Sequence, residues 1–252
     1  DIDNKTQVFI GAPNAKNDSN KKVGAFIRIE NDAFNEQEIR YGTAINGGFG
    51  SAIQWLPENE LLAVGTPKAN KTGEVTLWDV LNDELASTLA GQNNGEQFGK
   101  VLAVGSLAVD LLENNTEHLI VSAPLAADDK LKQAGRVAVF DLSVSNEPVQ
   151  SYFGVTKAEQ LGTSLAVDDQ KNLFIGSAGF TVAKNASSKA IKQAGKVSRF
   201  ILAANEAQAE KVGTQANQQY GASLAAIEMT GDFNMDLLVG SIGANDPTNK
   251  KL

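Results

Sequence analysis

Lys132-Gln133-Ala134-Gly135-Arg136-Val137 returns sixty residues later as Lys192-Gln193-Ala194-Gly195-Lys196-Val197, and each copy opens a run of strand-forming residues. A period of that size marks a repeat architecture, in which each unit buries its apolar face by stacking on its neighbours. The same wording recurs more faintly at Thr72-Gly73-Glu74-Val75 and Lys22-Val23-Gly24-Ala25. Upstream of each lies an apolar run that ends in a box of small residues. The boxes are Val8-Phe9-Ile10-Gly11-Ala12-Pro13, Leu62-Ala63-Val64-Gly65-Thr66-Pro67 and Leu119-Ile120-Val121-Ser122-Ala123-Pro124. Weaker copies stand at Leu173-Phe174-Ile175-Gly176-Ser177 and Leu237-Leu238-Val239-Gly240-Ser241. A third landmark precedes four of the boxes: Phe49-Gly50, Phe98-Gly99, Leu161-Gly162 and Tyr220-Gly221. Their constant order divides the chain into approximate repeats 1–42, 43–92, 93–155, 156–214 and 215–252, read as one continuous domain.

One repeat shows the element type. Phe98 to Val104 reads as a first strand, small and apolar, and His118 to Val121 as a second, apolar throughout and hence buried on both faces. Ala123-Pro124 ends it, because proline cannot donate to a central ladder. Arg136 to Phe140 makes a third strand after Gly135, and Val149 to Phe153 mixes polar and apolar residues as an outer edge strand does. Four short antiparallel strands in each repeat are the sequence signature of an all-β propeller blade. Only Leu202 to Val212 approaches helical periodicity, and it is read as a helical turn or an outer strand. The glycines of the second and third landmarks are read as sites of close backbone approach, and Phe49, Phe98 and Tyr220 as packing between blades.

The bulk numbers bound the function. The chain has 252 residues, 42% of them hydrophobic, enough for a sizeable core. Its net charge of −8 argues against nucleic-acid backbones and anionic membranes as partners. Without cysteine there are no disulfides, thiolate metal sites or cysteine nucleophiles. No apolar stretch reaches the roughly 18 residues of a membrane span. The abrupt start points to a processed or missing N-terminus, which leaves secretion open.

These residues resemble the FG-GAP repeat of the integrin α-subunit N-terminal β-propeller and its bacterial relatives. Phe49-Gly50 and Phe98-Gly99 match the first half of the motif, and Gly11-Ala12-Pro13 and Ser122-Ala123-Pro124 the second. The likeness extends over essentially the whole chain, which would cover about four to five blades or partial blades. The cysteines of animal integrins are absent, which points to a bacterial member. The resemblance implies a non-catalytic binding or adhesion module at an extracellular, cell-surface or periplasmic location. Protein or glycan ligands would be held by loops on one face. Asn14 to Lys21, Leu125 to Gln133 and Ala178 to Gln193 follow the boxes and are the candidate loops. A structural subunit of a surface or secretion assembly, or the accessory propeller of an enzyme, are the alternatives.

Many members of that family carry a calcium loop between the first two strands of a blade. In the last repeat, Glu228, Thr230, Asp232, Asn234 and Asp236 place oxygen side chains at alternate positions, the spacing that wraps a loop around one hard cation. Tyr220 to Gly240 spans twenty positions, against sixteen for Phe49 to Gly65 and fifteen for Leu161 to Gly176, which are plain hairpins. Glu228 and Thr230 depart from the family preference for Asp and Asn, so the expectation is one weak Ca2+ site. The loops at Asp1-Ile2-Asp3 and Asp110 to His118 are expected to be empty. The single histidine, His118, opens a strand expected to be buried, whereas triad-like chemistry calls for a base and an orienting group set around a nucleophile, and no catalytic residue is assigned.

Overall fold

The computed structural model describes residues 7–30, 36–106, 116–127, 130–184, 189–201, 207–231 and 235–245. The chain is all-β, and among these residues the one helical piece is the 3-10 turn Ala69–Lys71. The first sheet comprises β1 (Gln7–Ala12), β2 (Ala25–Glu30) and β3 (Glu36–Tyr41). The second holds β4 (Ala52–Leu56), β5 (Leu61–Thr66), β6 (Glu74–Asp79) and β7 (Glu84–Ala90). The third holds β8 (Leu102–Ser106), β9 (Glu117–Ala123), β10 (Arg136–Phe140) and β11 (Pro148–Phe153). The fourth holds β12 (Leu161–Val167), β13 (Leu173–Ser177), β14 (Lys196–Phe200) and β15 (Ala209–Val212). A last pair joins β16 (Tyr220–Ile227) to β17 (Asp236–Ser241).

Spatial order follows sequence order in every sheet, and every assigned pairing is antiparallel. That is the up-and-down meander of a propeller blade. The chain divides into two compact units, Asp1–Leu102 and Ala103–Leu252.

Burial follows the pattern of the sequence. β9, flanked on both sides in its sheet, is buried along its whole length, whereas β11 at the edge mixes exposed and buried positions. Ala209–Val212 is the outer strand β15, mostly exposed, which selects the outer-strand reading for that part; residues 202–206 lie outside the described residues. The strand expected from Phe98 begins later, at Leu102. Phe98 instead makes a single parallel bridge to Gly73, and Gly99, with φ of +82°, turns the chain before the strand starts.

That bridge belongs to a series. Gly24 pairs with Phe49, Gly73 with Phe98, Gly135 with Leu161 and Gly195 with Tyr220. In each case the glycine that opens a third strand meets the residue before the glycine of the next repeat. The box glycines add a second contact. A Cβ on Gly65 would lie 2.1 Å from the Gly99 carbonyl oxygen, and one on Gly176 would lie 2.1 Å from that of Gly221. Side chains fill the flanks. In the first unit Phe26, Phe49, Leu62, Val64 and Val80 form a buried cluster, with Phe26 and Phe49 ring centres 5.9 Å apart and Phe9 stacked on Trp55. In the second unit Tyr152 packs on Phe200 at 4.4 Å, and burial pushes its phenol up to about 12.

Because the obstacle at Gly65 is main chain, it cannot rotate away. Gly65→Ala is expected to lower stability to denaturant by about 1–3 kcal/mol, the usual cost of overpacking. Thr88→Ser, at an exposed position of the edge strand β7, serves as the comparison and stays within about 0.5 kcal/mol.

Candidate functional site: the loop ends of the blades

An up-and-down sheet sorts its connections. Within a four-stranded sheet, links between first and second and between third and fourth strands leave one end, while second-to-third links and the step to the next sheet leave the other; in the first sheet β1 already ends in a box, so its link to β2 takes the second-to-third place. The loops after the boxes and the oxygen-rich loop of the last repeat therefore lie at opposite ends of their sheets.

The end bearing the box loops is built from a recurring turn. Gly42, Gly91, Gly154 and Gly213 donate their N–H groups to the carbonyls of Gly24, Gly73, Gly135 and Gly195, at 2.9 to 3.0 Å. Five residues on, the turn is closed by a side-chain oxygen. Glu96 Oε1 accepts from the Gln92 N–H at 2.6 Å, and Glu159 Oε2 accepts from Val155 and Thr156 at 2.9 Å each. Gln218 Oε1 does the same for Thr214 and Gln215. Glu96 and Glu159 are buried, at 0% and 1% exposure. Their signal in the sequence is a Glu or Gln two residues before the aromatic or leucine of the third landmark, and the strand reading passed over it. Gly47 holds this place in the first turn and closes it without a side chain.

Glu159 carries a second role. Its Oε1 receives Lys196 Nζ at 2.9 Å, and that ammonium also meets Glu210 Oε1 at 2.9 Å and lies 4.6 Å from the centre of the Phe180 ring. Burial pulls the Lys196 ammonium down, but hydrogen bonds and charge from Glu210 and Glu159 outweigh it and leave it raised. Burial pushes Glu210 up, and the bonds from Lys196 and Ser198 more than reverse this, so its carboxyl is lowered.

Each box loop is tied to its own frame. In 13–22, Asn17 Oδ1 accepts from Ser19 and Lys21, and Val23 and Gly24 both donate to the Ala15 carbonyl. In 124–134, Gly135 donates to Ala126 at 3.0 Å. In the longest loop Val182 and Ile191 pair, and Gln193 N–H bonds Thr181 Oγ1. Residues 128, 129 and 185–188 lie outside the described residues. At this end of the first unit the loops border a cleft of about 180 Å³. Lys22, Lys68 and Lys100 line it together with Asn14, Asn46 and Gln97, and its lining contains no acidic residue.

At the other end, the loop from Glu228 is only partly within view. Asp232 and Asn234 lie outside the described residues. Glu228 accepts a hydrogen bond from the Gly231 N–H, and Asp236 Oδ2 accepts from the Met229 N–H at 3.2 Å. Both carboxylates thus close the loop on its own backbone, and Thr230 sits in the bend between them. Among the described residues no three His, Cys, Asp or Glu side chains cluster as metal ligands would. The shorter hairpin at 168–172 is closed by Asp168, which accepts from Asn172 N–H and Nδ2 at 2.8 Å.

No family model matches the chain. Over 80 residues it is 34% identical to integrin alpha-2 of Bos taurus, a match covering 31% of this chain and 7% of that protein. A structural likeness to the Dos1 propeller covers 84% of this chain and 47% of that one, at 14% identity and a TM-score of 0.47. Among the described residues no helix is long and apolar enough to cross a membrane.

Removing one partner of a buried ion pair strands the other charge. Lys196→Met is expected to cost about 3–5 kcal/mol of unfolding free energy. Adding Glu159→Gln recovers part of it, since the amide oxygen still closes the turn as Gln218 does in the next repeat. The pH profile has two limbs. Lys196, raised, contributes fully below its unfolded value of about 10.4 and loses that contribution as pH climbs through its folded value. Glu210, lowered, contributes above about 4.3 and loses it as pH falls through its folded value. Urea unfolding across pH should therefore show an acid limb that Glu210→Gln flattens.

Proposed function

We propose that this chain is a non-catalytic protein-interaction platform of FG-GAP type, working outside the cytoplasm as an adhesion or assembly module. The observation that carries this reading is the end of the sheets where the box loops emerge. Loops of variable length and composition stand there on turns that are the same in each repeat, fixed by the same main-chain bonds. Variable loops on an invariant frame suit recognition, because a fixed scaffold reduces the ordering cost of binding. Similarity to integrin alpha-2 over 80 residues lends weight to the class of role.

The test is a contact map. With an extracellular or surface protein partner selected from a display library, cross-linking is expected to reach residues 14–21, 125–133 or 178–193. A footprint confined to the hairpins at 57–60 and 168–172, at the opposite end, would overturn the reading.

We further propose that the loop from Glu228 to Asp236 is a weak calcium site, resting on its alternating oxygens and its length. A cation that binds only the folded chain raises apparent stability by mass action. Excess CaCl2 is expected to raise the melting temperature, and Asp232→Ala or Asp236→Ala to abolish that increment. Asp168→Ala should preserve it, because its hairpin is too short to enclose an ion. A melting temperature indifferent to calcium and to chelator reduces the loop to a turn held by Glu228 and Asp236.

A further inference from the structure

We infer that the lysine-lined cleft of the first unit is a receptor for the acidic side chains of a protein ligand. The inference rests on the interaction-platform reading and names the chemistry of one contact within it.

Charge carries the first part. The chain has a net charge of −8, yet here three ammonium-bearing side chains border one cleft whose lining has no carboxylate. Lys22, Lys68 and Lys100 make no ion pair with any described residue, although buried and exposed acids elsewhere are engaged by Lys196, Arg28 and Arg40. Three exposed ammonium-bearing side chains around one cleft leave it locally positive. Such a cleft also concentrates an anion locally, against the repulsion of the rest of the surface.

The floor of the cleft is preorganised. Asn46 N–H donates to the Lys22 carbonyl at 2.7 Å, Lys68 N–H to the Gly47 carbonyl at 3.1 Å and Lys100 N–H to the Gln97 carbonyl at 3.1 Å. Each lysine is therefore anchored through its own main chain to a turn, and the three Cα positions are fixed before a ligand arrives. Only the side-chain ends must be ordered, which lowers the cost of binding.

The class of anion follows from what else is present. Ammonium groups only donate, and the amides of Asn14, Asn46 and Gln97 both donate and accept. That set satisfies a carboxylate and the peptide groups beside it. No aromatic side chain lines the cleft, so it has no flat face on which a sugar ring could stack. A volume of about 180 Å³ takes single side chains entering from above rather than a saccharide chain. The occupant is an Asp- or Glu-rich segment of a protein.

Hexaglutamate is the probe, titrated into the whole chain at low ionic strength and followed by NMR or calorimetry. Saturable binding is expected, weakening as salt is added. Lys68→Glu is expected to reduce affinity about tenfold or more. Lys21→Glu, an equal change of charge next to the cleft but outside its lining, should reduce affinity clearly less than Lys68→Glu does, because it stands farther from the bound carboxylates. Melting curves check the fold, and if Lys68→Glu does not fold, Lys68→Gln and Lys100→Gln take its place. Absence of saturable binding, or equal loss in the Lys21 variant, overturns the inference. A sulfated oligosaccharide that binds where hexaglutamate does not also overturns it, in favour of a glycan. A failure here while protein partners still cross-link to the box loops sinks the cleft and leaves the platform standing.

Discussion

Successive repeats of this chain meet main chain to main chain. The glycine that opens a third strand bridges the residue before the next repeat's glycine, and the box glycine presses on that glycine's carbonyl. At approaches this close no Cβ fits, so the contact dictates residue type at both sides. Apolar side chains then pack around it. Phe49 and Phe98 are buried because each flanks such a bridge, and Phe26, Leu62 and Val64 complete the cluster around Phe49. Where the third box has Ser122 in place of glycine, its Cβ faces Gly162, and the glycine on the other side of the contact supplies the room.

The same constraint sets the electrostatics of the loop end. At three of the turns beside a glycine bridge, main-chain N–H groups bond to side-chain oxygens rather than to carbonyls. Glu96, Glu159 and Gln218 supply those acceptors from within the turn. A carboxylate used in this way brings charge into the interior, and at Glu159 the chain answers with Lys196, itself shared with Glu210. In the first turn Gly47 takes the place of the acid, and a Cβ there would meet Thr66 Cγ2 at 3.0 Å. No carboxylate enters at that position, and three lysines stand around the neighbouring cleft. One substitution within a repeated turn thus goes with a local change of sign on an acidic protein.

The titratable groups among the described residues serve the frame. The lone histidine is wholly buried in β9, and the acids with described partners close turns or pair with cations. The turns keep the same main-chain bonds while the loops they carry differ in length and composition. In the first unit the box-loop end holds the lysine cleft, and in the second the end opposite the box loops holds the hairpin closed by Asp168.

The sequence by itself determined the strand order and the blade type, because these depend on local pattern. Small residues at fixed offsets, apolar runs and prolines act on their own neighbourhood, and the third strand Arg136–Phe140 is legible to the residue. The late start of β8 was not, since Phe98 is taken up by a bridge to Gly73, a partner far back along the chain. Nor were Glu159 with Lys196, or the cleft of Lys22, Lys68 and Lys100. In the linear chain those residues are separated by tens of positions and look like ordinary surface charges. Only the stacking of repeats sets them side by side, excludes water from one group and leaves the other facing an open cleft. Distance and burial decide what a charge does, and both belong to the tertiary structure.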